Sequence, residues 1–189
     1  MQLQRPVKWQ EKTDWRLTQK FWERPEVYKP MGYKGHMGLD YAWPKPGDKI
    51  DVYSAVDWVC EQFIDPKWYG IYIKQTFEFE WVKYEIIYWH LSKVLKTGTV
   101  KKGEKIAVMG TTGFSTWIHL HFEIKDPRKI QNGYKWRIDP LPYITDWVTE
   151  TEQEKIVREF ADKYGIRKRW TDETYTCFEV LSILAKIHK

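Results

Sequence analysis

The sequence predicts a mainly β protein, an antiparallel sheet over most of its length followed by a helical hairpin. Three observations carry this expectation. Segments rich in β-branched and aromatic residues recur from about residue 36 to 125, and Gly, Pro and Asp cluster between them. Near residue 150 the apolar spacing changes from a period of two to a helical stripe. At 189 residues, 42% hydrophobic and 17% aromatic, the chain can bury a sizeable core and does not have a disordered composition.

Residues 1–30 read as polar and irregular, punctuated by Pro6, Pro25 and Pro30. The strands expected next are "IDVYSAV" (50–56), "GIYIKQTFEFE" (70–80), "VKYEIIYWHL" (82–91) and "KIAVMG" (105–110). Gly47-Asp48, Asp65-Pro66, Gly98, Lys102-Gly103 and Gly110 supply turns between them. "WIHLHFEI" (117–124) closes the series, alternating Leu120, Phe122 and Ile124 with His119, His121 and Glu123. From Thr151 a helix is expected. Thr151 and Glu154 have the spacing of a capping box, Ile156, Val157, Phe160 and Tyr164 would share a stripe, and Gly165 is the expected C-terminal stop. Phe178, Val180, Leu181 and Leu184 mark a second amphipathic helix. A domain over 1–149, with its core in 17–144, is therefore followed by a helical segment over 150–189. That segment is expected to be a packed appendage or a small docking module.

Composition narrows the setting. No apolar stretch approaches the roughly 20 residues of a membrane span, and "MQLQRPVKWQEKTDW" has no apolar signal region. The expectation is a protein made in the cytoplasm that would need release, or a carrier, to act outside it. The net charge of +5 resides in residues 1–149, with 23 basic against 18 acidic groups, while 150–189 carries eight of each. A mildly basic body suits a polyanionic partner, but its scattered charges argue against nucleic acid. Cys60 and Cys177 lack any metal or redox spacing and read as buried thiols.

The chemistry is concentrated in the histidines. His119 and His121 project from one strand face roughly 7 Å apart, close enough to reach one point. Burying both without partners would be costly, so the pair asks for a metal, a reaction or water. His36 and Asp40 in "KGHMGLDYA" would lie roughly 13 Å apart along a straight strand. Gly35 and Gly38 permit the bend that would bring them together. Two imidazoles and a carboxylate with one open position form a zinc site of the water-activating kind.

Four motifs then occur in order: "LTQKFWERPEVYKPMGYKGHMGLDYAWP", "YWHLSKV", "VKKGEKIAVMGTTGFST" and "HLHFEIKDP". Together with "RIDPLPYI" they resemble the lysostaphin/LytM-type zinc metalloendopeptidases that cut peptidoglycan peptides, over roughly 17–144. The opening block most resembles variants from bacteriophage lysis or tail proteins, which would make this an antimicrobial endolysin or virion-associated lysin. The resemblance implies one Zn²⁺ per chain, held by His36, Asp40 and His121. It implies His119 as general base, and His90 as the group that stabilises the tetrahedral intermediate or protonates the leaving amine. Peptidoglycan is the implied partner, with no membrane span, and the oligomeric state stays open.

All five positions match. This argues against a catalytically idle, wall-binding or enzyme-activating relative, the principal alternative. Where the family has Ser-Thr-Gly-Pro, this chain has Ser115-Thr116-Trp117-Ile118, a change expected to reshape the cleft beside the metal. Glu123 shares the face of His121 and reads either as a partner behind that ligand or as an ion-paired or solvated group. Trp43, Trp68, Tyr69, Tyr88, Trp89 and Trp117 read mostly as core, with one or two walling a groove. His188 reads as incidental.

Overall fold

The computed structural model describes residues 1–8, 16–42, 50–129 and 133–145. The chain divides into two units, Met1–Trp147 and Val148–Lys189. The helical pair expected over 150–189, with Cys177 and His188, lies outside the described residues, as does Trp43. Among the described residues, no helix is long and apolar enough to cross a membrane.

In chain order the elements are β1 (Leu3–Gln4), β2 (Arg16–Gln19), the one-turn helix α1 (Pro25–Tyr28) and β3 (Leu39–Ala42). There follow β4 (Asp51–Tyr53), β5 (Trp58–Asp65), β6 (Gly70–Phe79), β7 (Val82–Val94) and β8 (Gly98–Val100). The series ends with β9 (Lys105–Met109), β10 (His119–Lys125), β11 (Arg137–Ile138) and β12 (Ile144–Thr145). Strands β2 to β11 form one antiparallel sheet ordered β2-β3-β10-β7-β6-β5-β8. The long β7 also pairs with β9, which carries β4, and β11 pairs with the end of β10. The one parallel pairing among the described residues is small, with Leu3 opposite Ile144 and Gln4 opposite Thr145.

The expected strands at 70–80, 82–91, 105–110 and 117–124 all form. The run 50–56 is a strand only over Asp51–Tyr53, because the chain then bends and the Ser54 hydroxyl donates to the Val56 carbonyl at 2.6 Å. Residues 1–30 are less irregular than their composition predicts. Arg16–Gln19 adds an edge strand to β3, and Pro25 opens a short helix at a position where its missing N–H costs nothing. Strand β5 was not legible: its side chains are mostly exposed, so the period-two signal of a half-buried strand is absent.

Leu120, Phe122 and Ile124 are wholly buried in the main core with Leu39, Tyr88, Ile86, Ile73 and Ile106. Each contributes about 1.5–3 kcal/mol by leaving water. The opposite face of β10 is covered too. His119, His121 and Glu123 are buried, backed by a second cluster of Phe21, Met37, Ile87, Trp89 and Tyr134. The alternation in the sequence therefore separates core from site rather than core from solvent.

Candidate active site

His121 and Asp40 stand directly opposite each other on β10 and β3, which fixes two of the implied ligands by strand register alone. His36 precedes β3, outside any strand. Its backbone N–H donates to the Glu23 carbonyl, and its own carbonyl accepts from Trp22 N–H. The bend between His36 and Asp40 does form, but neither glycine there has a positive φ. They are needed for close approach: a Cβ on Gly38 would lie 2.4 Å from the Phe122 carbonyl oxygen, and one on Gly35 2.3 Å from that of Trp22.

Three side-chain atoms converge. His36 Nε2 lies 2.9 Å from His121 Nδ1 and 3.2 Å from Asp40 Oδ1, and His121 Nδ1 is 2.7 Å from that oxygen. The outward nitrogens are already committed. His36 donates its Nδ1–H to the Lys20 carbonyl at 3.0 Å, and His121 donates its Nε2–H to Glu123 Oε1 at 3.2 Å. The inward atoms are then all lone pairs, and such a set needs a positive charge between them. Without a metal, a proton on His121 fills that need. Burial opposes the charge, but Asp40 and Glu123 override it and lift His121 to about 9. Burial likewise works against the Asp40 carboxylate, yet His121 and His36 hold it well below the usual range. A buried set of two imidazole nitrogens and one carboxylate oxygen fits zinc.

The other two histidines flank this cluster. His119 donates its Nδ1–H to the Trp117 carbonyl at 3.0 Å, with the Ser115 hydroxyl 3.3 Å away, so Nε2 is left as a lone pair. His90 donates its Nδ1–H to the Thr112 carbonyl at 2.7 Å. The rings of His90 and His119 are 4.7 Å apart. His90 has a left-handed φ of 59°, and β7 shifts register beside it, between Leu91 and Lys93. This irregular backbone turns the ring out of the ladder and into the site. The Thr112 hydroxyl secures the arrangement by accepting from Ile71 N–H and donating to the Leu91 carbonyl. Burial, joined by the repulsion that a protonated His119 would add, lowers His90 to about 4; burial also lowers His119. Both are neutral near pH 7.

All of this opens on a groove of about 830 Å³, lined by Tyr28, Trp68, Tyr69, Phe114, Trp117 and Lys135 among others. Trp117 is 51% exposed and stands at the rim with its ring 5.7 Å from that of His119, so it shapes the cleft without filling it. Of the aromatics read mostly as core, Tyr88 and Trp89 are buried, but Trp68, Tyr69, Trp89 and Trp117 all line the groove, more than the one or two expected. Cys60 is a buried free thiol.

The structure thus brings together His36, Asp40, His90, His119 and His121. Sequence reasoning did not identify Lys20 and Thr112, which act through backbone carbonyls and leave no residue-type signal. It also passed over Arg137, whose Nε–H donates to Glu123 Oε1 at 2.7 Å. A charged residue just ahead of the Asp139-Pro140 segment was the available hint.

An antiparallel sheet that sets His121 opposite Asp40, with His36 joining them from the segment ahead of β3 beside an open groove, defines the class: a metallopeptidase-type fold with a metal-ready centre. The sequence profile of peptidase family M23 matches residues 34–139, more than half of the chain. The chain belongs to that family, and its fold is that of the lysostaphin/LytM-type peptidases. An uncharacterized metalloprotease of Haemophilus influenzae is 60% identical over 43 residues, 22% of this chain and 9% of that protein. One from Buchnera aphidicola is 33% identical over 122 residues, 62% of this chain and 30% of its own length. The chain therefore spans less than a third of either relative. Among solved structures, a zinc-containing peptidase from Vibrio cholerae superposes with a TM-score of 0.51 at 29% identity. That match covers 71% of this chain and 39% of the other.

Proposed function

We propose that this protein is a zinc-dependent endopeptidase that hydrolyses peptide bonds in bacterial peptidoglycan. The observation that carries the reading is the convergence of His36 Nε2, Asp40 Oδ1 and His121 Nδ1 beside a groove that His90 and His119 also face. Family membership and the zinc-containing Vibrio cholerae peptidase support it. The phage-lysin setting belongs to the proposal and rests on the opening sequence block.

Bound there, zinc would supply a Lewis acid that activates water and polarises a carbonyl. The chain's own residues do the rest. His119, neutral with its Nδ1–H held by Trp117, presents Nε2 as a proton acceptor. His90 also presents a lone pair at rest, because its one proton is spent on Thr112. It can donate only after gaining a proton, so protonation of the leaving amine suits it better than holding an oxyanion from the outset. With their rings 4.7 Å apart, the two imidazoles disfavour holding two protons at once. One proton passing through the pair satisfies both roles.

The direct test is release of new amines from purified sacculi of several cross-link types, with a chelator and again after zinc is restored. Chelator-sensitive release rescued by zinc is expected. No release from any wall by zinc-loaded protein would overturn the substrate reading.

Metal uptake makes a second prediction. His121 is charged below about pH 9 and must surrender its Nδ1 proton to become a ligand. Zinc titration calorimetry in buffers of different ionisation enthalpy should show about one His121 proton released per zinc at pH 8. That contribution should vanish above about pH 10. Absence of any release at pH 8 would contradict the charge assigned to His121.

A further inference from the structure

Three of the four site imidazoles are oriented by backbone carbonyls: His36 by Lys20, His90 by Thr112 and His119 by Trp117. His121 differs. Its outward nitrogen meets a side chain, Glu123 Oε1, two residues along the same face of β10. Glu123 is wholly buried, and the same oxygen accepts from Arg137 Nε at 2.7 Å. Arg137 is 3% exposed and arrives on β11, whose register sets it opposite Lys125 and so diagonal to Glu123. Its other end donates to the Tyr69 hydroxyl at 3.3 Å, and Tyr69 lines the groove.

We propose that Glu123, held by Arg137, is a positioning residue that fixes the His121 ring so that Nδ1, not Nε2, faces the metal position. The proposal rests on the zinc reading above. An imidazole can turn over about its Cβ–Cγ bond or exchange tautomer, and either change would present a proton or the wrong nitrogen to His36 and Asp40. A carboxylate behind Nε2 opposes both, since it accepts a hydrogen bond and cannot donate one when ionised, and so offsets the pull of Asp40 on a proton at Nδ1. Glu123 is an expensive choice for packing alone. Its Oε2 has no hydrogen-bond partner among the described residues although it is buried, so one oxygen serves both His121 and Arg137. Arg137 supplies the counter-charge that keeps the carboxylate ionised in this enclosed position. It meets the metal site through Glu123 and His121. Arg137 is therefore a positioning group one step further out.

The test compares the wild type with Glu123→Gln, Glu123→Ala and Arg137→Lys in the full chain. Zinc affinity is read by competition with a chromophoric chelator. The ¹⁵N shifts of the His121 ring are read in metal-free protein at pH 10, and thermal melts of metal-free protein control for folding. Glu123→Ala is expected to bind zinc about 10–100-fold more weakly and to shift the His121 ring away from the Nε2–H tautomer relative to the wild type. Glu123→Gln keeps the acceptor without the charge and should fall between, retaining Nε2–H. It also serves if the alanine variant fails to fold. Arg137→Lys should weaken zinc less than Glu123→Ala.

Unchanged zinc affinity and an unchanged tautomer in Glu123→Ala, whatever its melting temperature, would leave Glu123 a packing residue and overturn the proposal. A wild type that binds no zinc would overturn the metal reading by itself. The ring shifts would still decide for or against Glu123.

Discussion

His121→Ala is expected to abolish zinc binding and peptidoglycan hydrolysis together. His121 touches both other ligands and the group behind it: its Nδ1 lies 2.7 Å from Asp40 Oδ1 and 2.9 Å from His36 Nε2, and its Nε2–H meets Glu123. Removing it leaves two ligands where a catalytic zinc site uses three, and zinc affinity should fall by at least about 10³-fold. It also leaves Asp40 and Glu123 as buried carboxylates that have lost the imidazole facing both of them. The metal-free variant should therefore be less stable near neutral pH. The sign follows from the linkage. A folded-state value of about 9, above the ordinary histidine value, stabilises the fold fully below about pH 6.5, and that contribution disappears as pH rises through 9. The gap between the melting temperatures of wild type and variant, both metal-free, should accordingly narrow from pH 7 to pH 10. Zinc analysis after dialysis, amine release from sacculi and thermal melts at the two pH values read all three effects. A variant retaining one tightly held zinc would remove His121 from the ligand set.

The site was legible in proportion to how much of it is built from side chains on a regular strand. The His-x-His alternation places both imidazoles on one face of β10, and the antiparallel register then sets Asp40 opposite His121 without further information. His36 was harder. Its reach to Asp40 depends on a bend that spacing alone forbids, and the glycines that allow it serve close contact with Phe122 and Trp22 rather than an unusual dihedral angle. What stayed hidden is what orients the rings. A carbonyl from Lys20 or Thr112 can come from any residue type, so no pattern marks it. The strands showed the same division. Strands β6, β7, β9 and β10 announce themselves by runs of β-branched and aromatic residues that the fold largely buries, whereas β2 and β5 gain their pairing from neighbours and carry little periodicity of their own. The burial of the polar face of β10 was equally invisible, because the cover comes from residues as distant in sequence as Phe21 and Tyr134.

His119→Ala should separate rate from metal binding. The convergent set of potential ligands is His36, Asp40 and His121, and His119 stands outside it. Its Nδ1–H is committed to the Trp117 carbonyl and the Ser115 hydroxyl, which holds the ring with Nε2 free. Burial keeps that nitrogen unprotonated at neutral pH, the state a general base must be in before it acts. Zinc content should therefore survive the substitution with affinity changed by no more than a few-fold. The value of kcat should fall by about 10²–10⁴, the usual contribution of a positioned proton acceptor, with KM little altered. The pH profile gives an independent reading. In the wild type the acid limb of kcat/KM should lie below the ordinary histidine value, because burial lowers His119, and in the variant that limb should disappear. Loss of zinc from His119→Ala would make this residue a ligand. Undiminished turnover would transfer the base role elsewhere, and His90, with its ring 4.7 Å away and its own Nε2 lone pair, would then be the next residue to replace.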